Sequence, residues 1–244
     1  MIEIENITKL FGKQKAVDHL TLHIPSQQLF AFLGPNGAGK TTTIKMLVGL
    51  LQPTEGTIKI NDYDMSVDYL TAKKLLAYVP DQPYLYDKLT GLETLEFVGR
   101  MYGLDRKIMK EKIQMVIELF ELQDFVYTLS ENYSHGMKQR LVFACALLHD
   151  PKIWVIDEPM VGLDPKSVRI VKDLLRAEVK KGASIFMSTH SLEIATETAD
   201  YIGIIHLGKL IALGTLEELR SKLEGQQTLE EIFLELTLHE RSLL

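Results

Sequence analysis

A single cysteine, a single tryptophan and no long apolar run set the first limits on this sequence of 244 residues. One thiol, Cys145, excludes an intrachain disulfide, so a packed core must hold the fold. It lies in Leu141-Val142-Phe143-Ala144-Cys145-Ala146-Leu147-Leu148, where a small buried hydrophobe is expected and not a reactive thiol. No apolar stretch approaches the roughly 20 residues needed to span a bilayer. Low-complexity tracts, internal repeats and a secretory-signal pattern are missing as well. Asn6-Ile7-Thr8 and Asn132-Tyr133-Ser134 are therefore read as accidental matches to the glycosylation sequon. Nor is there a basic excess: 27 Lys and Arg against 33 Asp and Glu give a formal net charge of −6, which argues against a broad nucleic-acid-binding surface. The chain is expected to be cytosolic, or held at a membrane only through partners. The 46% of hydrophobic residues suffice for the full core of one α/β domain, with or without an inserted lobe.

The strongest local signal is Gly34-Pro35-Asn36-Gly37-Ala38-Gly39-Lys40-Thr41-Thr42. The apolar run Leu29-Phe30-Ala31-Phe32-Leu33 precedes it, and Ile44, Met46, Leu47 and Val48 come after it at helical spacing. A strand, a glycine loop and a helix are expected in that order, with the spacing of a phosphate-binding P-loop. Glycines let backbone N–H groups converge on phosphate oxygens without side-chain clash, and the helix N-terminus adds partial positive charge. Lys40 is placed to reach the β- and γ-phosphates, and the Thr41 hydroxyl to bind Mg²⁺. By chance alone such a pattern should arise in a chain of this length with a probability of roughly 1%.

Around this unit the pattern changes along the chain. Ile2, Ile4 and Ile7, then Leu20, Leu22 and Ile24, and then Thr57 to Ile60 read as strands separated by turns at Phe11-Gly12-Lys13 and Pro53 to Gly56. They predict a small antiparallel sheet around the first strand–loop–helix unit. Residues 66–78 read as helical, with Ala77-Tyr78-Val79 as a short buried strand before the break at Pro80-Asp81-Gln82-Pro83. From 84 to 132 the pattern is helical, with a helix opening at Thr90 or Gly91 and an amphipathic one over Met109 to Phe120. Helices are also predicted over 137–149, 165–181, 191–199, 215–223 and 228–238. Ile153 to Ile156 and Ala183 to Ser188 are apolar enough for buried parallel strands, and Tyr201 to His206 and Lys209 to Leu213 flank a turn at Gly208. The tail Leu229 to Leu236 has apolar residues at i, i+3, i+4 and i+7, the stripe of a helix packed on its own domain or on a partner.

Two carboxylates, Asp157 and Glu158, end the strand Ile153 to Ile156. Strand C-termini of a parallel α/β sheet face the ligand crevice, so Asp157 is placed to hold Mg²⁺ and Glu158 to polarise a water against the γ-phosphate. Alone the pair could equally be a helix cap or turn. His190, in Ser188-Thr189-His190-Ser191, falls at the end of the next buried strand. Tyr133-Ser134-His135-Gly136-Met137-Lys138-Gln139-Arg140 precedes a helix, and taken alone Ser134 reads as its cap.

Taken together and in this order, the motifs resemble the nucleotide-binding subunit of an ATP-binding cassette (ABC) transporter, over about residues 2–215. Gly34 to Thr42 is similar to the Walker A loop, which implies that Asn36, Gly37, Ala38, Gly39, Lys40, Thr41 and Thr42 bind nucleotide. Asp157 and Glu158 resemble the Walker B aspartate and catalytic glutamate, His190 the switch histidine and Asp164 the D-loop aspartate. Ser134 to Met137 resembles the family signature, with Ser134 and Gly136 on the nucleotide. Phe11 falls where the family stacks an aromatic on adenine, and Val17 is expected to pack beside the base. The resemblance implies an α/β fold: a P-loop NTPase core with a mainly parallel sheet, an N-terminal antiparallel β subdomain and an inserted helical subdomain. All of 1–244 would be one domain, with 1–83 and 150–215 as core and β subdomain, 84–149 helical, and 216–244 a helical tail.

Two departures stand out. The usual Leu-Ser-Gly-Gly-Gln is Tyr133-Ser134-His135-Gly136-Met137 here, and Asp81 holds the place of the Q-loop glutamine, with Gln82 next. Either residue could take the Q-loop role, Asp81 also as a metal ligand. The resemblance implies Mg²⁺-dependent ATP hydrolysis at sites shared by two such subunits, as a homodimer or heterodimer, on the cytoplasmic face of a membrane-spanning transporter subunit. Tyr84-Leu85-Tyr86 and the helix after it fall where the family receives a coupling helix, though core packing explains them equally well. The tail and signature resemble export-type members. A non-transport ABC ATPase of translation or DNA maintenance is the alternative, but such chains usually carry two cassettes or long coiled coils. No nucleic-acid partner is expected.

Overall fold

A computed structural model describes residues 1–221, 229–231 and 233–234. The chain runs β1 (Ile2–Phe11), β2 (Gln14–Ile24), β3 (Leu29–Leu33), α1 (Lys40–Leu47), β4 (Glu55–Ile60), β5 (Tyr63–Asp64), α2 (Tyr69–Lys74) and β6 (Leu76–Val79). Three helices come next, α3 (Gly91–Met101), α4 (Arg106–Leu119) and α5 (His135–Leu147). Then come β7 (Ile153–Asp157), α6 (Pro165–Lys180), β8 (Ser184–Thr189), α7 (Leu192–Thr198), β9 (Tyr201–His206), β10 (Lys209–Gly214) and α8 (Leu216–Ser221).

Two sheets form. The first, in the order β2-β1-β4-β5, is antiparallel throughout. The second has the order β10-β9-β3-β8-β7-β6 and is parallel except for the β9–β10 hairpin at its edge. The fold is thus the expected α/β arrangement, a mainly parallel sheet joined to an N-terminal antiparallel one. Alternation along the central strands explains why their sequences are apolar without a break. Leu29, Ala31 and Leu33 of β3, Trp154 and Ile156 of β7, and Ile185 and Met187 of β8 face one core with the helices. Phe30, Phe32, Ile153, Val155 and Phe186 face the other, together with α1 and the antiparallel sheet. Both faces are covered, as parallel sheets require. The Phe30, Phe32 and Phe186 rings, with centroids 5.2 to 6.2 Å apart, fill the second core.

Element boundaries differ from the expected ones where tertiary pairing outweighs local pattern. The helix expected over 66–78 is only α2, because Leu76 already pairs with Ile153 in the sheet. The helix expected from 137 begins at His135, since the Ser134 hydroxyl accepts a hydrogen bond from the Met137 N–H and caps it. It ends at Leu147. Thr90 settles the start of α3 through a capping box with Glu93. The helix expected over 228–238 falls partly outside the described residues. Leu229, Glu230, Glu231, Phe233 and Leu234 are helical, with Leu229 buried in the helical core and Phe233 packed against it.

The loop after α5 contains a half-buried titratable group. His149 stacks on Tyr102, with ring centroids 3.7 Å apart and planes within 9°, and its Nε2 lies 3.3 Å from the Leu76 carbonyl. Burial pushes this imidazole down to about 4 from the ordinary 6.5. Between those values the unfolded chain binds a proton that the folded chain refuses, so stability falls as pH falls. The contribution is fully present above pH 6.5 and is lost towards pH 4, for about 3 kcal/mol. His149→Phe, which keeps a ring on Tyr102, is expected to remove that part of the pH dependence. Urea denaturation at a series of pH values across this window measures it.

Candidate functional site

The register of the parallel sheet assembles the site. Leu33 of β3 lies opposite Thr189 of β8, and Asp157 of β7 opposite Ser188. All three strands therefore end at one level. The loop after β3 continues this alignment, with Gly34 N–H donating to the Thr189 carbonyl at 3.3 Å. Three expected features thus meet at one edge: the glycine loop, the acidic pair and the His190 turn.

The loop itself demands glycine. Gly37 has φ +80 and Gly39, which caps α1, has φ +110, both in the left-handed region. A Cβ on Gly39 would come within 2.6 Å of the Ala16 carbonyl, and one on Gly34 within 2.5 Å of the Ile205 carbonyl. Gly208, in the β9–β10 turn, braces the loop by donating its N–H to the Ala38 carbonyl at 2.9 Å and accepting from Asp18 N–H. The walls of the resulting cleft, about 340 Å³, include Asn36, Gly37, Gly39, Lys40, Thr41, Thr42, Asp81 and Glu158. A larger groove of about 1160 Å³ crosses α3 and α4 and shares no lining residue with the cleft.

Lys40 is buried at the floor, 6% exposed, and its Nζ donates to the Gly34 carbonyl at 2.7 Å and lies 3.6 Å from Glu158 Oε1. The other Glu158 oxygen, Oε2, is 2.9 Å from His190 Nδ1. A carboxylate can only accept, so Nδ1 carries the proton. Glu158 thus bridges the loop lysine and the histidine of the next strand. Its backbone is left-handed, with φ +50, an unusual conformation for a residue with a side chain. The N–H of Glu158 is held by the Ser188 carbonyl at 3.2 Å. Asp157 is 1% exposed and accepts a hydrogen bond from the Ser188 hydroxyl. Nearby, burial, with the charges of Asp157 and Asp81, pushes the Tyr78 hydroxyl up to about 12. A cation is the natural complement of such a negatively charged set. Thr41 and Asp81 on the cleft wall and the buried Asp157 offer oxygen donors, the type a hard cation such as Mg²⁺ takes, although among the described residues no group of three His, Cys, Asp or Glu is arranged to hold a metal.

The other predicted residues fall elsewhere. Val17 is wholly buried in the core against the antiparallel sheet and does not line the cleft. The strand alternation turns Val17 inward and leaves its neighbour Ala16 on the cleft wall. Phe11 is 51% exposed and pairs with the cleft residue Gln14. Gln82 is exposed and, unlike Asp81, does not line the cleft. Ser134 and Gly136 stand at the start of α5, not on this cleft. Asp164 caps α6, and hydrogen bonds from the Ser167 N–H and hydroxyl hold its carboxyl below the usual range. Sequence reading missed Gln14, Lys15, Ala16, Leu207 and Gly208 as cleft residues. Two turns bring them over the loop, and nothing in their residue types announces it. It also missed Ser188 as the partner of Asp157, though a hydroxyl ending an apolar strand beside a buried acid is a readable signal.

With the cleft in view, comparison with known proteins decides the family. The ABC transporter family model matches residues 17–161. The chain belongs to the ABC transporter family. It is 40% identical over 228 residues to the ABC transporter ATP-binding protein YxlF of Bacillus subtilis, covering 93% of this chain and 74% of that protein. A solved ATP-binding subunit of an ABC transporter superposes with a TM-score of 0.92 at 33% identity, covering 97% of this chain and 99% of that one. The ATP-binding cassette MJ0796, solved as a dimer in a post-hydrolysis state with ADP and phosphate, superposes at 0.80 with 25% identity, covering 88% and 98%. The present cassette is accordingly an ATP-binding and ATP-hydrolysing subunit of a transport system. Among its described residues no helix is long and apolar enough to cross a membrane.

Proposed function

We propose that this subunit pairs with a second nucleotide-binding subunit and docks on the cytoplasmic face of a membrane-spanning transporter chain, which it drives by Mg²⁺-dependent ATP hydrolysis. The observation that carries the reading is the convergence of Lys40, Glu158 and His190 at one sheet edge, beside a glycine loop that runs directly into the N-terminus of α1, where phosphate is favoured. In this reading Asn36 to Thr42 hold the phosphates and Phe11 stacks on the base. Glu158 orients and deprotonates the attacking water, while His190, held through Nδ1 by Glu158, contacts the γ-phosphate. Thr41, Asp157 and Asp81 are the metal ligands, so Asp81, and not Gln82, takes the Q-loop role. Bound Mg²⁺ would neutralise charge on the β- and γ-phosphate oxygens.

Ser134 and Gly136 lie off this cleft while Ser134 already presents a helix N-terminus, the arrangement needed to serve a nucleotide held by another subunit. Asp164 would act at the same interface. Such sharing agrees with the dimeric state of MJ0796. The same reading assigns 1–83 and 150–215 to the ATP-binding core with its β subdomain, 84–149 to a helical subdomain and 216–244 to a helical tail.

Tyr84, Tyr86 and Phe97, exposed and packed edge to edge, flank an apolar hollow of about 270 Å³ that suits a short amphipathic helix of the membrane chain. Purification from detergent-solubilised membranes tests the partnership. A hydrophobic multispanning chain is expected to co-purify with this subunit, and to be lost with Tyr84→Ala/Tyr86→Ala. Recovery of the subunit alone from gently solubilised membranes would count against it.

A further inference from the structure

The residue that departs most from the family signature makes a specific contact. His135 is the first residue of α5, and its imidazole reaches across to the segment after Glu158. Its Nε2 lies 3.2 Å from the Val161 carbonyl. Val161 offers only an acceptor there, so Nε2 carries the proton and donates. The ring also covers Gly162, where a Cβ would come within 2.6 Å of His135 Cδ2 and 3.1 Å of Nε2. Gly162 has φ +74, so glycine is favoured there on two grounds.

Residues 158–164 form a short chain of turns. Val161 N–H donates to the Glu158 carbonyl at 3.3 Å, Leu163 N–H to Met160, and Asp164 then caps α6. One end of this segment is Glu158, in contact with Lys40 and His190. Its other end is fixed by α6. His135 holds the middle. With glycine in its place, neither the ring packing nor the donated hydrogen bond would exist.

We propose that His135 is a positioning residue that ties the start of α5 to the turn carrying Glu158. Resting on the shared-site reading above, the contact links the two half-sites of one subunit: the surface it offers to its partner's nucleotide and its own catalytic carboxylate. Movement of Ser134 and Gly136 on engaging nucleotide is passed through the imidazole to Val161 and Gly162, and so to Glu158. The linkage uses the histidine ring in place of the small residue the signature usually carries.

The test is steady-state ATPase of the assembled transporter, with ATP affinity measured by calorimetry. His135→Ala is expected to lower kcat about three- to tenfold, the scale of one lost hydrogen bond with its packing, while the dissociation constant for ATP stays within twofold. His135→Gln retains an N–H donor of similar reach and should recover at least half of the loss. Gly162→Ala expels the ring, so it should cost more in the native background than in His135→Ala. Unchanged turnover in His135→Ala would overturn the proposal. So would a glutamine variant as impaired as alanine, or equal costs of Gly162→Ala in both backgrounds. Failure of the shared-site reading is separate: it would leave Ser134→Ala fully active, whereas failure of this proposal alone leaves Ser134→Ala impaired and His135→Ala at native rate.

Discussion

Glu158→Gln is expected to bind ATP and hardly hydrolyse it. The substitution preserves side-chain size and leaves an oxygen to accept from His190 Nδ1, which now lies 2.9 Å away. It removes the negative charge and the capacity to take a proton. General-base catalysis contributes typically 10² to 10⁴, so kcat should fall by about that factor while ATP affinity changes little. The bound state should then persist. Size-exclusion chromatography with ATP is expected to show a stable dimer for Glu158→Gln and a transient one for the native chain. Turnover near the native rate would remove Glu158 from the chemistry. Glutamine meets the left-handed backbone at this position as glutamate does and keeps the N–H bond to the Ser188 carbonyl, so the fold should not be affected.

Lys40→Ala should instead weaken nucleotide capture. The ammonium is 6% exposed, at the floor of the cleft, and bonds to the loop's own carbonyls at Gly34 and Pro35. A charged donor to phosphate is worth about 1.5 to 3 kcal/mol, which corresponds to an affinity loss of roughly ten- to 150-fold. Calorimetric titration with ATP measures this directly. An unchanged dissociation constant would refute the phosphate role of Lys40. The same substitution removes the cation nearest Glu158, so residual turnover at saturating ATP should also be reduced.

Much of the fold and the site is legible in the sequence, for identifiable reasons. β3, β7 and β8 are buried on both faces, so their sequences are apolar without alternation and stand out. Because they are parallel neighbours, the loops leaving their C-terminal ends gather at one edge of the sheet. Lys40, Asp157, Glu158 and His190 can therefore be grouped without coordinates. The limits are geometric. Val17 cannot be told from Ala16, because which of two neighbours faces the cleft depends on strand register. Asp81 and Gln82 are adjacent, and only the path of the chain after β6 puts Asp81 on the cleft wall. Gly208 reads as an ordinary turn glycine, yet its N–H steadies the phosphate loop from another part of the sheet. Tyr133 stands where the signature usually has leucine, and its residue type alone does not reveal what the hydroxyl does. Buried, it accepts from Gly91 N–H and donates to the Phe125 carbonyl, fastening the start of α3 to α5.

In the proposed dimer one chain supplies the phosphate loop of one site and the Ser134 surface of the other. Mixing two inactive variants tests it most directly. Ser134→Ala and Lys40→Ala should each be inactive as homodimers. In a mixed dimer one site carries both lesions and the other carries none. ATPase activity of purified mixed dimers, each subunit bearing a different tag, is expected to return. If the mixed dimers are as inactive as either parent, the two half-sites do not combine across subunits and the account is wrong.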